Sequence, residues 1–152
     1  MPTNQIHFST TIKAPAARVW EVMLGPESYK AWAAPFHEGT YYEGSWEQGQ
    51  RIRFLIPPGQ GMLSEIAESR PHEFISIRHI GMIENGVEDT ESDAVRSWAP
   101  AYENYTFVPA GEGITEIRVD MDVDPAWEQY MQDTWPKALE KLKSLCESVT
   151  QY

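Results

Sequence analysis

His79, Glu103 and Tyr105 are the side chains best suited to chemistry. An imidazole, a carboxylate and a phenol can share a proton, orient a hydrogen-bonding ligand or transfer a proton to it. Their spacing is that of strands. Ile75, Ile77 and His79 share one strand face, while Phe74, Ser76, Arg78 and Ile80 share the other. Glu103, Tyr105 and Phe107 share a face of the next long strand. If the isoleucines face inward, His79 points inward with them. The same residues also read as a satisfied buried hydrogen-bond set or as a polar outer face.

Other chemistries lack support. His7, His37, His72 and His79 include no pair at the i, i+4 spacing of a helical zinc site, and Cys146 is the only cysteine. No metal site and no cofactor is expected. Asp120, Asp122 and Asp124 alternate along a strand and could ligate a hard cation, but the opposite face is cleanly apolar, so theirs reads as the solvated face. Glu88, Asp89, Glu91 and Asp93 lack the spacing and central glycine of a calcium loop and read as a solvated connector. There is no GxSxG elbow, Walker loop or dinucleotide fingerprint. Gly59-Gln60-Gly61 marks a turn between strands rather than the start of a helix. No catalytic residue is therefore assigned.

Bulk properties narrow the partners. The chain has 152 residues, 41% hydrophobic and 12% aromatic, enough for one domain with a real core spanning 1–152. With 12 basic and 23 acidic residues, its net charge is −11. That disfavours nucleic-acid phosphates and anionic membrane surfaces as partners. A lone cysteine permits no internal disulfide and fits a reduced, cytoplasmic setting. Residues 1–15 show no basic region followed by an apolar run, so neither a signal peptide nor a membrane span is expected.

The elements that must position these residues follow from periodicity. Ile6, Phe8, Thr10 and Ile12 alternate with polar neighbours, giving a first strand. Pro15 suits the first turn of a helix carrying Val19, Trp20, Met23 and Leu24, with Gly25 at its end. Pro26 opens a second short helix with Tyr29, Trp32 and Ala33. Strands are expected over 39–46, 51–56, 62–68, 73–83, 101–108 and 114–123. Turns fall at 47–49, 57–59 and 111–113, and at Asn85-Gly86. These short connections require antiparallel neighbours. Residues 87–100 lose the period of two; Thr90 and Asp93 suggest one or two helical turns before Pro100.

At Asp124-Pro125 the period changes from two to that of a helix, with Asp124 as N-cap. Trp127, Tyr130, Met131, Thr134, Ala138, Leu142, Leu145 and Val149 share a broad face, widened by Trp135, Leu139 and Cys146. Pro136 implies a kinked continuous helix, or a short helix followed by a longer one, with the kink preferred. The leucine half suits tight packing; Trp127, Met131 and Trp135 suit a roomier region. The expected class is α+β: a curved seven-stranded antiparallel sheet gripping a long C-terminal helix, with two short helices after the first strand. The expected ligand-binding residues are Phe54, Ile66, Ile77, His79, Glu103, Tyr105 and Met121 on the sheet, with Trp127, Met131 and Trp135 on the helix.

The segments APAARVWEVML, YKAWAAPF, GSWEQGQRIRF, GMLSEIAESRPHEFISIRHIG and TWPKALEKLKSL occur in that order along nearly the whole chain. In this it resembles the START-like, birch-pollen-allergen-like helix-grip superfamily, also called SRPBCC. Within it, the chain is similar to the branch of homologues of the activator of heat-shock-protein-ninety ATPase. The resemblance implies a sheet gripping the terminal helix around a cavity. It also implies one of three roles: binding an apolar ligand, catalysing cyclisation or a related reaction, or assisting a chaperone. It carries no family-wide catalytic signature onto these residues.

The expected function is binding of a small apolar or aromatic molecule in that cavity. The alternatives are a protein-binding module with a chaperone as partner, and a cyclase- or hydrolase-like enzyme using His79 and Glu103.

Overall fold

The computed structural model describes residues 4–57 and 59–147; Val149 of the expected helical face and Pro58 of the expected turn fall outside them. The chain begins with β1 (Asn4–Ile12), α1 (Ala16–Leu24) and α2 (Pro26–Trp32). It continues through β2 (Tyr41–Gly44), β3 (Arg51–Ile56), β4 (Gln60–Arg70), β5 (Phe74–Glu84) and β6 (Val87–Asp89). It ends with α3 (Asp93–Arg96), β7 (Ala101–Gly111), β8 (Ile114–Val123) and α4 (Pro125–Glu147). Seven strands form one antiparallel sheet in the order β1-β8-β7-β5-β4-β3-β2, and the short β6 pairs with β5 off that path.

Alternation decides which face meets the helix. Ile6, Phe8 and Thr10 of β1 pair with Met121, Val119 and Ile117 of β8, which in turn pair with Glu103, Tyr105 and Phe107 of β7. Directly paired residues project from the same face, so these rows make one apolar wall. Ile117, Val119, Ile75, Ile77 and Ile52 are almost wholly buried. α4 lies against this wall with Trp135, Ala138, Leu139, Leu142 and Cys146 buried. α1 and α2 close it from the side, where the Trp32 indole N–H donates to the Met23 carbonyl at 3.0 Å.

Polar contacts hold the ends of α4. The Asp124 carboxylate accepts from the Ala126 N–H at 2.9 Å, the N-cap read from the sequence. At the other end, the Arg18 guanidinium donates to the carbonyls of Cys146 and Leu145 at 2.6 and 3.2 Å. A cation there offsets the negative end of the helix. α4 runs through Pro136 as one helix.

Three expectations need correction. Residues 87–89 are a strand, not part of a helical connector. Asn85 and Gly86 have φ of 50° and 79°, the left-handed pair that returns the chain tightly onto β5. The short helix starts later than Thr90: its N-cap is Ser92, whose hydroxyl accepts from the Val95 N–H. Finally, β2 covers only Tyr41–Gly44, shorter than 39–46, because Ser45 to Gln50 form a turn. Among the described residues, no helix is long and apolar enough to cross a membrane.

Candidate functional site

A bulge in β5 creates the site. Leu63 of β4 pairs with Gly81 of β5, but the next residue, Ser64, pairs with His79, so Ile80 is left over. His79 and Met82 lie an odd number of residues apart. A regular strand would put them on opposite faces. The extra residue returns both to the helix-facing side, Met82 opposite Met62 and His79 opposite Ser64. β5 also changes partner here. It pairs with β7 as far as His79–Ala101 and with β6 from Met82 onward. Gly81 permits the switch, since a Cβ there would meet the Asp89 carbonyl oxygen of β6 at 2.5 Å.

The gap between the diverging strands opens into a cavity of about 310 Å³ under the first turns of α4. Met62, Met82 and Met121 of the sheet and Met131 of the helix supply four thioether walls. Trp98, Trp127 and Tyr130 add aromatic rings, and His79 and Glu103 enter from the floor. Trp127 is 58% exposed and Tyr130 38%, so large apolar side chains stand open at the rim. Their rings meet edge to face, 5.9 Å between centroids and 79° between planes.

Four residues form a hydrogen-bonded chain beneath. His79 Nε2 lies 3.0 Å from Glu103 Oε1, and His79 Nδ1 lies 2.7 Å from the Ser64 hydroxyl. The Tyr105 hydroxyl donates to Glu103 Oε2. A carboxylate only accepts, so His79 donates through Nε2; in that neutral tautomer Nδ1 accepts from Ser64. Burial, and secondly the Glu103 charge, hold the Tyr105 hydroxyl well above the usual tyrosine range, so it remains a donor. His79 is also packed edge-on against Phe54, 5.8 Å between ring centroids. The imidazole is thus held at both nitrogens and by the Phe54 ring.

Of the residues expected from the sequence, His79, Glu103, Met121, Trp127 and Met131 stand together on the cavity wall. Ile66, Ile77, Tyr105 and Trp135 are instead packed in the core, all at most 3% exposed. Phe54 packs against that core beside Trp46 and Tyr29. Trp135 does not face open space, because Phe8, Trp32, Phe36 and Tyr105 surround its ring. Met62, Met82, Trp98, Ala101 and Tyr130 also line the wall without having been singled out as ligand-binding residues. Of the Asp120–Asp124 row, Asp120 meets His7 at 2.6 Å, while Asp122, which accepts from the Tyr102 N–H at 2.9 Å, and Asp124 line the cavity.

The sequence profile of the family described as "Polyketide cyclase / dehydrase and lipid transport" matches residues 4–147. No curated relative matches the chain. Among solved structures, the Aha1 dimer from Colwellia psychrerythraea aligns with a TM-score of 0.71 at 16% identity, covering 95% of this chain and 96% of that one. A structural-genomics protein of Chromobacterium violaceum aligns with a TM-score of 0.68 at 18% identity, covering 96% and 99%. DynU16, from the dynemicin biosynthetic locus, aligns with a TM-score of 0.68 at 16% identity, covering 97% of this chain and 48% of its own. At these identities the likeness shows the helix-grip fold alone.

Proposed function

We propose that this chain, which belongs to the polyketide cyclase / dehydrase and lipid transport family, holds a small apolar or aromatic molecule in the cavity between sheet and helix. The observation that carries this reading is the cavity wall. Four methionines and three large aromatic rings surround about 310 Å³, with one fixed polar pair on the floor. Apolar walls with few, well-placed polar groups are the usual make-up of a small-molecule site, and methionine adapts to ligands of irregular shape. The biosynthetic setting of DynU16 supports a small-molecule occupant.

A second reading is a protein-binding role. The exposed Trp127, Tyr130 and Met82 favour it, as does the likeness to the Aha1 dimer. On the first reading those side chains are the rim through which the molecule enters.

Calorimetric titration with 2-naphthol separates the two. The wild type is expected to bind it, and Met131→Trp, which fills the cavity from the helix side, is expected to lose that binding with its circular dichroism intact. Absence of binding by the wild type, or undiminished binding by folded Met131→Trp, would overturn the cavity reading.

A further inference from the structure

Charge around the cavity is one-sided. Glu103 lines its floor, Asp122 and Asp124 line its rim, and among the described residues no lysine or arginine lines it. The Glu103 side chain is 15% exposed, and the His79 imidazole lies 3.0 Å from it. Its two oxygens accept from His79 and Tyr105. A carboxylate offers about four lone-pair sites, which leaves capacity for a further donor from the cavity side. Above it, Trp127 and Tyr130 form a corner of two rings at 79°. Such ring faces attract a cation, most strongly where water is excluded. The chain's net charge of −11 adds a negative field of longer range.

From this arrangement we infer that the cavity selects an apolar or aromatic molecule bearing a positively charged amine, and rejects one bearing a carboxylate. The inference rests on the reading of the cavity as a small-molecule site and names the class of molecule. The ammonium group sits between the Glu103 carboxylate and the Trp127–Tyr130 corner, while its apolar body lies among Met62, Met82, Met121 and Met131. A carboxylate-bearing molecule of the same shape meets Glu103 with no guanidinium or ammonium in the wall to offset it. Burying that unpaired charge beside another of like sign is unfavourable. Selection therefore has both an attractive and a repulsive part.

The test uses three probes on one scaffold, 1-naphthylmethylamine, 1-naphthalenemethanol and 1-naphthoate, titrated calorimetrically into the full chain at pH 7. The amine should bind roughly tenfold more tightly than the alcohol, and the alcohol more tightly than the carboxylate. Glu103→Gln keeps the shape of the side chain, removes its charge and exchanges one acceptor oxygen for an NH2 donor; it should reduce the amine's advantage to roughly twofold. Asp124→Asn, which keeps a good N-cap, should reduce it less. Circular dichroism and a thermal melt establish that each variant is folded. Equal affinities for the three probes, or a preference for the carboxylate, would overturn the charge selection while leaving the cavity a binding site. An amine advantage undiminished in folded Glu103→Gln would also overturn it. No binding of any probe would overturn both readings.

Discussion

Glu103 Oε1 lies 3.0 Å from His79 Nε2 where the pairing of β5 with β7 ends at His79–Ala101. The pair closes the floor of the cavity at the point where the two strands part. Its outer partners, Ser64 on one side and Tyr105 on the other, are buried, so four polar groups depend on one another within an otherwise apolar wall.

His79→Leu leaves the Ser64 hydroxyl and one Glu103 oxygen without their partner. Each unsatisfied group costs about 1–3 kcal/mol, so urea unfolding should show a loss of about 2–6 kcal/mol for the two. Adding Ser64→Ala should recover roughly 1 kcal/mol of it, since the orphaned hydroxyl is then gone. Additive losses in the double variant would contradict the coupling.

Ile77 is fully buried and pairs directly with Glu103 across β5 and β7. It packs the core and does not line the cavity. Ile77→Ala should therefore cost about 2–5 kcal/mol in denaturant unfolding. The dissociation constant for 2-naphthol should change less than threefold, within about 0.6 kcal/mol. A large affinity change at unchanged stability would place Ile77 in the binding site.

Tyr29 and Tyr105 titrate late. Burial, followed by the Glu103 charge, raises both hydroxyls above the ordinary tyrosine range. A group whose pKa is raised on folding contributes stability that is complete below its unfolded value, near 10. That stability is lost as the pH rises towards the folded value. Stability should accordingly be insensitive to these groups below about pH 10 and fall above it. Their tyrosinate absorbance should appear only together with loss of the far-ultraviolet circular dichroism. Tyr29→Phe and Tyr105→Phe should each shrink that coupled step; ionisation of either while the fold persists would contradict it.

Much of this architecture was legible where one period ran undisturbed. Ile114–Val123 alternates cleanly because one face meets α4 and the other meets water, and Asp124-Pro125 marks the change to a helix in both composition and structure. Asn85-Gly86 announces its turn because few residues adopt positive φ without strain. The bulge at Ile80 left no such mark. An isoleucine is at home in any strand, and only the pairing across β4 and β6 shows that it is the extra residue. Strict alternation would put Met82 on the face opposite His79. Val87–Asp89 escaped notice because a three-residue edge strand carries no apolar alternation. Trp135 lies on the expected helix face, but whether a face meets a cavity or a packed cluster depends on Phe8, Trp32 and Phe36, which are distant in sequence.

The central claim is that the methionine-lined cavity is where a small molecule sits. Methyl-labelled methionine NMR with 1-naphthylmethylamine tests it most directly. Met62, Met82, Met121 and Met131 line the cavity, while Met23 is fully buried among α1 and α2. The account predicts that the four cavity methyl resonances shift in a saturable way while that of Met23 stays in place. Saturable binding that leaves all four unmoved, or that moves Met23 alone, would contradict it.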